Sequence, residues 1–207
     1  PPTTTLIARL RSNATLPITW QAGILYSVAF GGYVAFSVYL PAYLKTEHAL
    51  TAADASNRMA GFVVVAVLMR PVGGWLCDRL PTVQVLAASF GIVTVCAAVA
   101  ATAPPLDIRG TSAFLLMAAA LGAGSGATFA LIAQASDPAR SGGVTGIVGA
   151  AGGLGGFVPP LLMGYIYGRT DSYWLGLALL AATAAAVLLL TLTVVRRTLE
   201  AKEPSHP

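Results

Sequence analysis

Arg70 is the residue whose type and position most constrain the chemistry of this chain. It stands 12 residues after Arg58 and 8 before Asp78 in an otherwise uncharged stretch. Along a helix those neighbours are about 18 Å and 12 Å away, so Arg70 sits near the middle of an apolar segment. A guanidinium stays charged and presents a planar fork of donors, which suits a small planar oxyanion. Holding it at the centre of a membrane span costs about 2.5–3.5 kcal/mol on insertion scales. It could snorkel, or pair with a carbonyl opened by Pro71. No Asp or Glu occupies any apolar segment. An external anion is therefore the favoured partner, and a carboxylate proton relay is disfavoured.

Aromatic and small residues are the other candidates. Tyr26, Phe30 and Tyr33 fall at i, i+4 and i+7, one helix face. Packing or an interfacial belt accounts for most such residues, but Tyr26 and Phe30 are mid-segment and could wall a pocket. Gly143, Gly146, Gly149 and Gly152 repeat every three residues, followed by Gly153, Gly155 and Gly156. Close helix packing is the ordinary use of such glycines; one or two could instead line a narrow path. Pro159-Pro160 is expected to kink or break that helix. Gly122-Ala123-Gly124-Ser125-Gly126 repeats the theme, and lacks the context of a dinucleotide loop or a nucleophile elbow. Cys77 and Cys96 read as buried thiols. No span holds a His, Asp, Glu or paired Cys, so neither an enzyme, a metal site nor a cofactor is expected.

The elements that must position these residues follow from composition. Charged residues make up 10% of the 207, apolar residues 56%, and mean hydropathy is +0.75. That is too little charge to cover a soluble domain, where about 25% is usual, and it excludes a nucleic-acid binder. Six segments are long and apolar enough to span a bilayer: Pro17–Leu44, Asn57–Cys77, Val83–Ala103, Ser112–Gln134, Gly143–Tyr167 and Tyr173–Val195. If both ends share a side, that side carries Arg9, Arg11, Arg79, Arg140, Arg196, Arg197 and Lys202; the other carries Lys45, Arg58, Arg109 and Arg169. Seven against four favours cytoplasmic termini. The acids, including Asp107, Asp171 and Glu203, fall in loops and tails. The chain starts at Pro1, and a fragment, a processed product or one half of something larger is expected. The reading divides it into a cytoplasmic lead (1–16), a six-helix domain (17–195) and a cytoplasmic tail (196–207).

Arg70-Pro71-Val72-Gly73-Gly74-Trp75-Leu76-Cys77-Asp78-Arg79 resembles the cytoplasmic loop signature of the major facilitator superfamily, with Gly74, Asp78 and Arg79 in matching places. Pro81-Thr82-Val83 departs from it. Within that superfamily the chain is similar to nitrate/nitrite porters, through Gly31 to Phe36, the arginine before Gly73-Gly74, Gly122 to Phe129, and the run from Gly149 to Phe157. The resemblance implies an all-α membrane fold, with helices seven to twelve of a transporter built as a 3+3 inverted repeat. A faint likeness between the second and fifth spans fits that plan. It implies that Arg70 holds the anion, that Tyr26 and Phe30 lie beside it, and that Gly149, Gly152 and Gly153 face it. Ser125 stands where many relatives carry asparagine. Gly74, Asp78 and Arg79 would form the cytoplasmic gating loop. The family site uses two arginines and lies between two halves, so an N-terminal six-helix half is the expected partner, in the cytoplasmic (inner) membrane, with nitrate or nitrite as substrate. A porter for another anion and a non-transporting fragment are the alternatives.

Overall fold

The computed structural model describes residues 6–106, 108–170 and 172–201, and every regular element among them is helical. Asp107, Asp171, Lys202, Glu203 and the Arg109 side chain, counted above as loop or tail charges, lie outside what is described. The helices are α1 (Leu6–Ala14), α2 (Pro17–His48), α3 (Ala52–Cys77), α4 (Thr82–Ala101), α5 (Ile108–Ala135), α6 (Pro138–Thr170), α7 (Trp174–Leu190) and α8 (Arg196–Glu200), with a π-helical turn at Thr191–Val195 joining the last two. Six of the helical segments are long and apolar enough to cross a membrane. They coincide with the six expected spans.

Several helix ends run past the apolar segments, while α4 stops at Ala101, two residues short of its expected end, because local capping, rather than hydropathy, starts and stops a helix. Pro17 sits at the first turn of α2, where a missing N–H costs nothing. Ala49 ends α2 in the left-handed conformation, φ 52°, with its N–H on the Leu44 carbonyl. The Thr51 hydroxyl accepts from the Asp54 N–H at 3.1 Å, so α3 begins at Ala52 rather than Asn57. Asp137 does the same for Ala139 at 2.9 Å, so α6 begins at Pro138 rather than Gly143. The expected break at Pro159-Pro160 does not occur: α6 continues to Thr170. The Tyr39 hydroxyl donates to the Pro160 carbonyl, tying this stretch to α2.

Packing is organised by close glycine crossings. A Cβ on Gly31 would come within 2.6 Å of Gly155 Cα, and one on Gly155 within 2.7 Å of Ser27 Cα. Only glycine lets α2 and α6 approach that closely. Gly122 and Gly126, one turn apart on α5, face the main chain of Ala66 and Arg70 on α3, and Gly73 returns the contact against Ala123. The backbone carrying Arg70 is thus seated on α5. The π-helical turn is steadied by the buried Thr191 hydroxyl on the Val187 carbonyl at 2.8 Å.

The core divides by height. Near the terminus-bearing end, Leu25, Leu86, Phe90, Leu131 and Val187 pack together. Toward the opposite end, Tyr43, Phe62, Phe114 and Met117 do so, joined by a Tyr167–Tyr173 stack at 4.3 Å. Cys77 and Cys96 are both buried.

The expected cytoplasmic lead carries the short helix α1. Within it, α1 is pinned to the start of α6. Arg140 Nε donates to Asn13 Oδ1 at 3.1 Å, and Arg140 Nη2 donates to the Ser12 carbonyl at 2.6 Å and to the Ser12 hydroxyl. Asn13 is buried against Gly143.

Candidate functional site

The structure gathers Arg70, Tyr26 and Phe30 at one point between α2 and α3. Arg70 Nη2 donates to the Tyr26 hydroxyl at 2.9 Å, and Nη1 to the Tyr33 hydroxyl at 3.4 Å. The guanidinium carbon lies 5.3 Å from the Phe30 ring centroid, a cation–π contact. Neither snorkelling nor a freed carbonyl describes this arrangement. Among the described residues no carboxylate pairs with Arg70, and the ion pair that the described residues show is Arg196 with Glu200 at the chain's exposed end.

The helical repeat explains why these groups converge. Tyr26, Phe30 and Tyr33 form one stripe of α2, and that stripe faces Arg70. Tyr26 stacks on Phe30 at 5.0 Å with planes 10° apart; Phe129 of α5 meets Tyr26 edge-on at 4.8 Å, and Phe30 meets Tyr33 edge-on at 5.1 Å. Tyr26 and Tyr33 are 4% and 6% exposed, so their hydroxyls are largely shielded from water. A guanidinium has five N–H donors, of which two are engaged here. Each tyrosine accepts from Arg70 and keeps its own proton for donation. The cluster therefore offers convergent donors and a formal positive charge against an aromatic wall, which is the chemistry of an oxyanion site.

The glycines separate into three roles. A step of three residues falls short of a full turn, so four residues so spaced sweep about half the helix circumference. Gly143 accordingly meets Asn13, whereas a Cβ on Gly152 would lie 3.1 Å from Phe30 Cδ1 and closer still to the Tyr26 ring. Gly152 thus lies against both site aromatics. Gly149 and Gly153 are expected on the same face, yet a Cβ on either would touch neither aromatic. With Gly142 and Gly146 they form a stripe at spacings of four, three and four that meets nothing within 4 Å.

Ser125 is fully buried and its hydroxyl has no partner. It lies one turn before Phe129 and beside Gly122 and Gly126, on the part of α5 turned toward α3 and Tyr26. At the far end of α3, Gly74 is open, Asp78 caps the helix and is exposed, and Arg79 rests over the Trp75 ring at 4.9 Å. These three do not join the Arg70 cluster. The sequence reading left Tyr33 and Phe129 out of the site. Tyr33 was visible as the i+7 partner of Tyr26. Phe129 depends on the register between α5 and α2, which periodicity does not encode.

Six helices long and apolar enough to cross a bilayer make this a multi-pass membrane protein. Residues 22–207 match the Major Facilitator Superfamily, and the chain belongs to that family. It is 45% identical over 200 residues to a probable nitrate/nitrite transporter, NarK2, of Mycobacterium tuberculosis, covering 96% of this chain and 49% of that protein. It is 34% identical over 175 residues to a nitrite extrusion protein of Bacillus subtilis, covering 84% and 44% respectively. The chain spans about half the length of the curated relatives it matches. In fold it resembles the E. coli fucose:proton symporter FucP, with a TM-score of 0.74 and 23% identity, over 90% of this chain and 45% of that one.

Proposed function

We propose that this chain is one six-helix half of a secondary transporter that moves nitrate or nitrite by alternating access, with Arg70 as its anion-binding charge. The observation carrying the reading is that Arg70 meets two hydroxyls and a ring but no carboxylate. A half-buried cation so placed in a membrane span is held by polar groups and left electrically uncompensated, a state that an anion relieves. Tyr26 and Tyr33 would turn their hydroxyl protons to the anion's oxygens while Phe30 and Tyr26 cover its face. The unpartnered Ser125 hydroxyl supports a further donor from α5. The likeness to nitrate/nitrite transporters supports the substrate class.

The remaining parts of the machine belong to the same reading. A second six-helix half would close the site and supply a second arginine. The glycine stripe Gly142–Gly146–Gly149–Gly153 would lie against that half and let it slide. Gly74, Asp78 and Arg79 would form the cytoplasmic gate. Both termini would be cytoplasmic in the inner membrane, residues 1–16 closing the central loop, 17–195 forming the transmembrane domain and 196–207 the tail.

Co-expression with an N-terminal half and measurement of nitrate uptake tests the proposal. Lysine keeps the charge but loses the planar fork, so Arg70→Lys is expected to lower uptake by about tenfold or more. Uptake equal to wild type would remove Arg70 from the site. Displacement of bound nitrate by small carboxylates as readily as by nitrite would redirect the assignment to another anion.

A further inference from the structure

The back of α2 carries an opening that the anion site does not use. A slot of about 570 Å³ lies between α6 and α7 and is floored by α2 from Thr19 to Phe36, roughly 25 Å of helix. Tyr26, Phe30 and Tyr33 face Arg70, whereas Trp20, Ile24 and Ala35 line the slot from the other side of the same helix. α6 and α7 meet where Met163 reaches Gly176, and leave the slot open along the rest of its length.

Its lining is apolar in a strict sense. Thr19, Ser27 and Thr183 contribute hydroxyls, and each is committed to a main-chain carbonyl: Thr19 to Asn13 at 2.7 Å, Ser27 to Ile24 at 2.9 Å, Thr183 to Leu179 at 2.6 Å. The indole N–H of Trp20 is committed to the Ala14 carbonyl at 2.7 Å. A bound water needs two to four polar partners, and these side chains offer no uncommitted donor. A slot that opens between two membrane spans is reached by hydrocarbon. Its length exceeds the depth of one leaflet's chains, about 15 Å of a hydrocarbon core about 30 Å thick.

The mouth indicates which lipid. Trp20, 63% exposed, stands at the terminus-bearing end, where an amphipathic ring suits the head-group level. Its bond to Ala14 brings the end of α1 to the same place. Leu6–Ala14 holds Arg9 and Arg11 and no acid, and Arg11 is exposed one turn before Ala14. We propose that the slot holds one acyl chain of an anionic phospholipid from the leaflet at this end, with its phosphate beside Trp20 and Arg11. The bound chain would brace α2 from behind, opposite the aromatic stripe that meets Arg70.

Native mass spectrometry of the full chain, released from bilayers containing phosphatidylglycerol and phosphatidylcholine, tests this. One phosphatidylglycerol per chain is expected to survive, favoured about fivefold over phosphatidylcholine, the worth of one juxtamembrane basic residue. Thr183→Phe puts a ring into the slot and should lower retention about tenfold; Arg11→Gln should keep the lipid and erase the head-group preference. Retention by Thr183→Phe equal to wild type overturns the proposal. So does a wild-type chain that holds no lipid, or a twofold-mass species that Thr183→Phe abolishes, which would assign the slot to a second copy. Emission of Trp20, read in a Trp75→Phe/Trp174→Phe background, examines the slot without filling it. Brominated-chain phosphatidylglycerol should quench it more than the brominated phosphatidylcholine, and equal quenching overturns the anionic assignment.

Discussion

Adding one methyl group at Gly152 should uncouple Tyr26 from Arg70. The Cβ of Gly152→Ala would stand 3.1 Å from Phe30 Cδ1 and closer to the Tyr26 ring, where carbon atoms prefer about 3.5–4.0 Å. Tyr26 has nowhere to retreat: Phe30 stacks on it at 5.0 Å and Phe129 closes its edge at 4.8 Å. Relief requires a ring shift of about 1 Å, enough to stretch the 2.9 Å Arg70–Tyr26 bond beyond hydrogen-bonding range. Overpacking of this kind costs about 1–3 kcal/mol, which is roughly 5- to 150-fold in an equilibrium. Nitrate affinity of the assembled transporter should fall within that range, and the detergent-solubilised chain should melt at a lower temperature. Gly168→Ala is the matched control, because a Cβ there meets nothing within 4 Å. Wild-type affinity and melting in Gly152→Ala, or an equal loss in Gly168→Ala, would refute the reasoning.

Three further outcomes are expected. Tyr26→Phe should weaken nitrate binding about tenfold, as loss of a hydrogen bond to a charged group does; Tyr33→Phe, which removes the longer 3.4 Å contact, should cost about threefold in the same titration. Gly126→Val drives a side chain into the Arg70 carbonyl and within about 3.1 Å of the Gly74 nitrogen; since main chain cannot give way, the chain should lose its cooperative melt by circular dichroism, while Gly61→Val in open space keeps it. Arg140→Ala leaves the buried Asn13 amide without its donor and should release α1; tryptic cleavage after Arg11 should then run roughly tenfold faster.

Charge scarcity made the six spans legible, since only loops can hold so few ionised groups cheaply. The helix ends were not legible, because hydropathy reports the bilayer whereas Thr51 and Asp137 start helices outside it. Of the kink or break expected at the Pro-Pro pair, the break is absent: a rule about isolated helices ignores a neighbour such as Tyr39 that bonds to the stretch. In the site, Arg70 stood out by being unmatched, and Tyr26 and Phe30 by their spacing. Tyr33 shared that spacing but was left to packing or an interfacial belt. Phe129 and the separation of Gly152 from Gly149 and Gly153 required knowing how one helix is rotated against another, which a single chain's periodicity leaves open.

The glycine crossings have a mechanical consequence. Gly122, Gly126 and Gly73 lock α3 to α5, and Gly31 and Gly155 lock α2 to α6, so the domain contains two stiff pairs. Arg70 rides on the first pair; Tyr26, Tyr33 and Phe30 ride on the second. The charge and the hydroxyls that steady it thus belong to different bodies and meet only along the seam between them. An anion drawn to Arg70 would touch both sides of that seam at once and act as a rivet. An empty site would lose that rivet and leave the pairs joined by the two Arg70 hydrogen bonds and by apolar packing of α2 on α3 and α5, such as Leu25 with Leu131 and Phe36 on Phe62 at 5.4 Å.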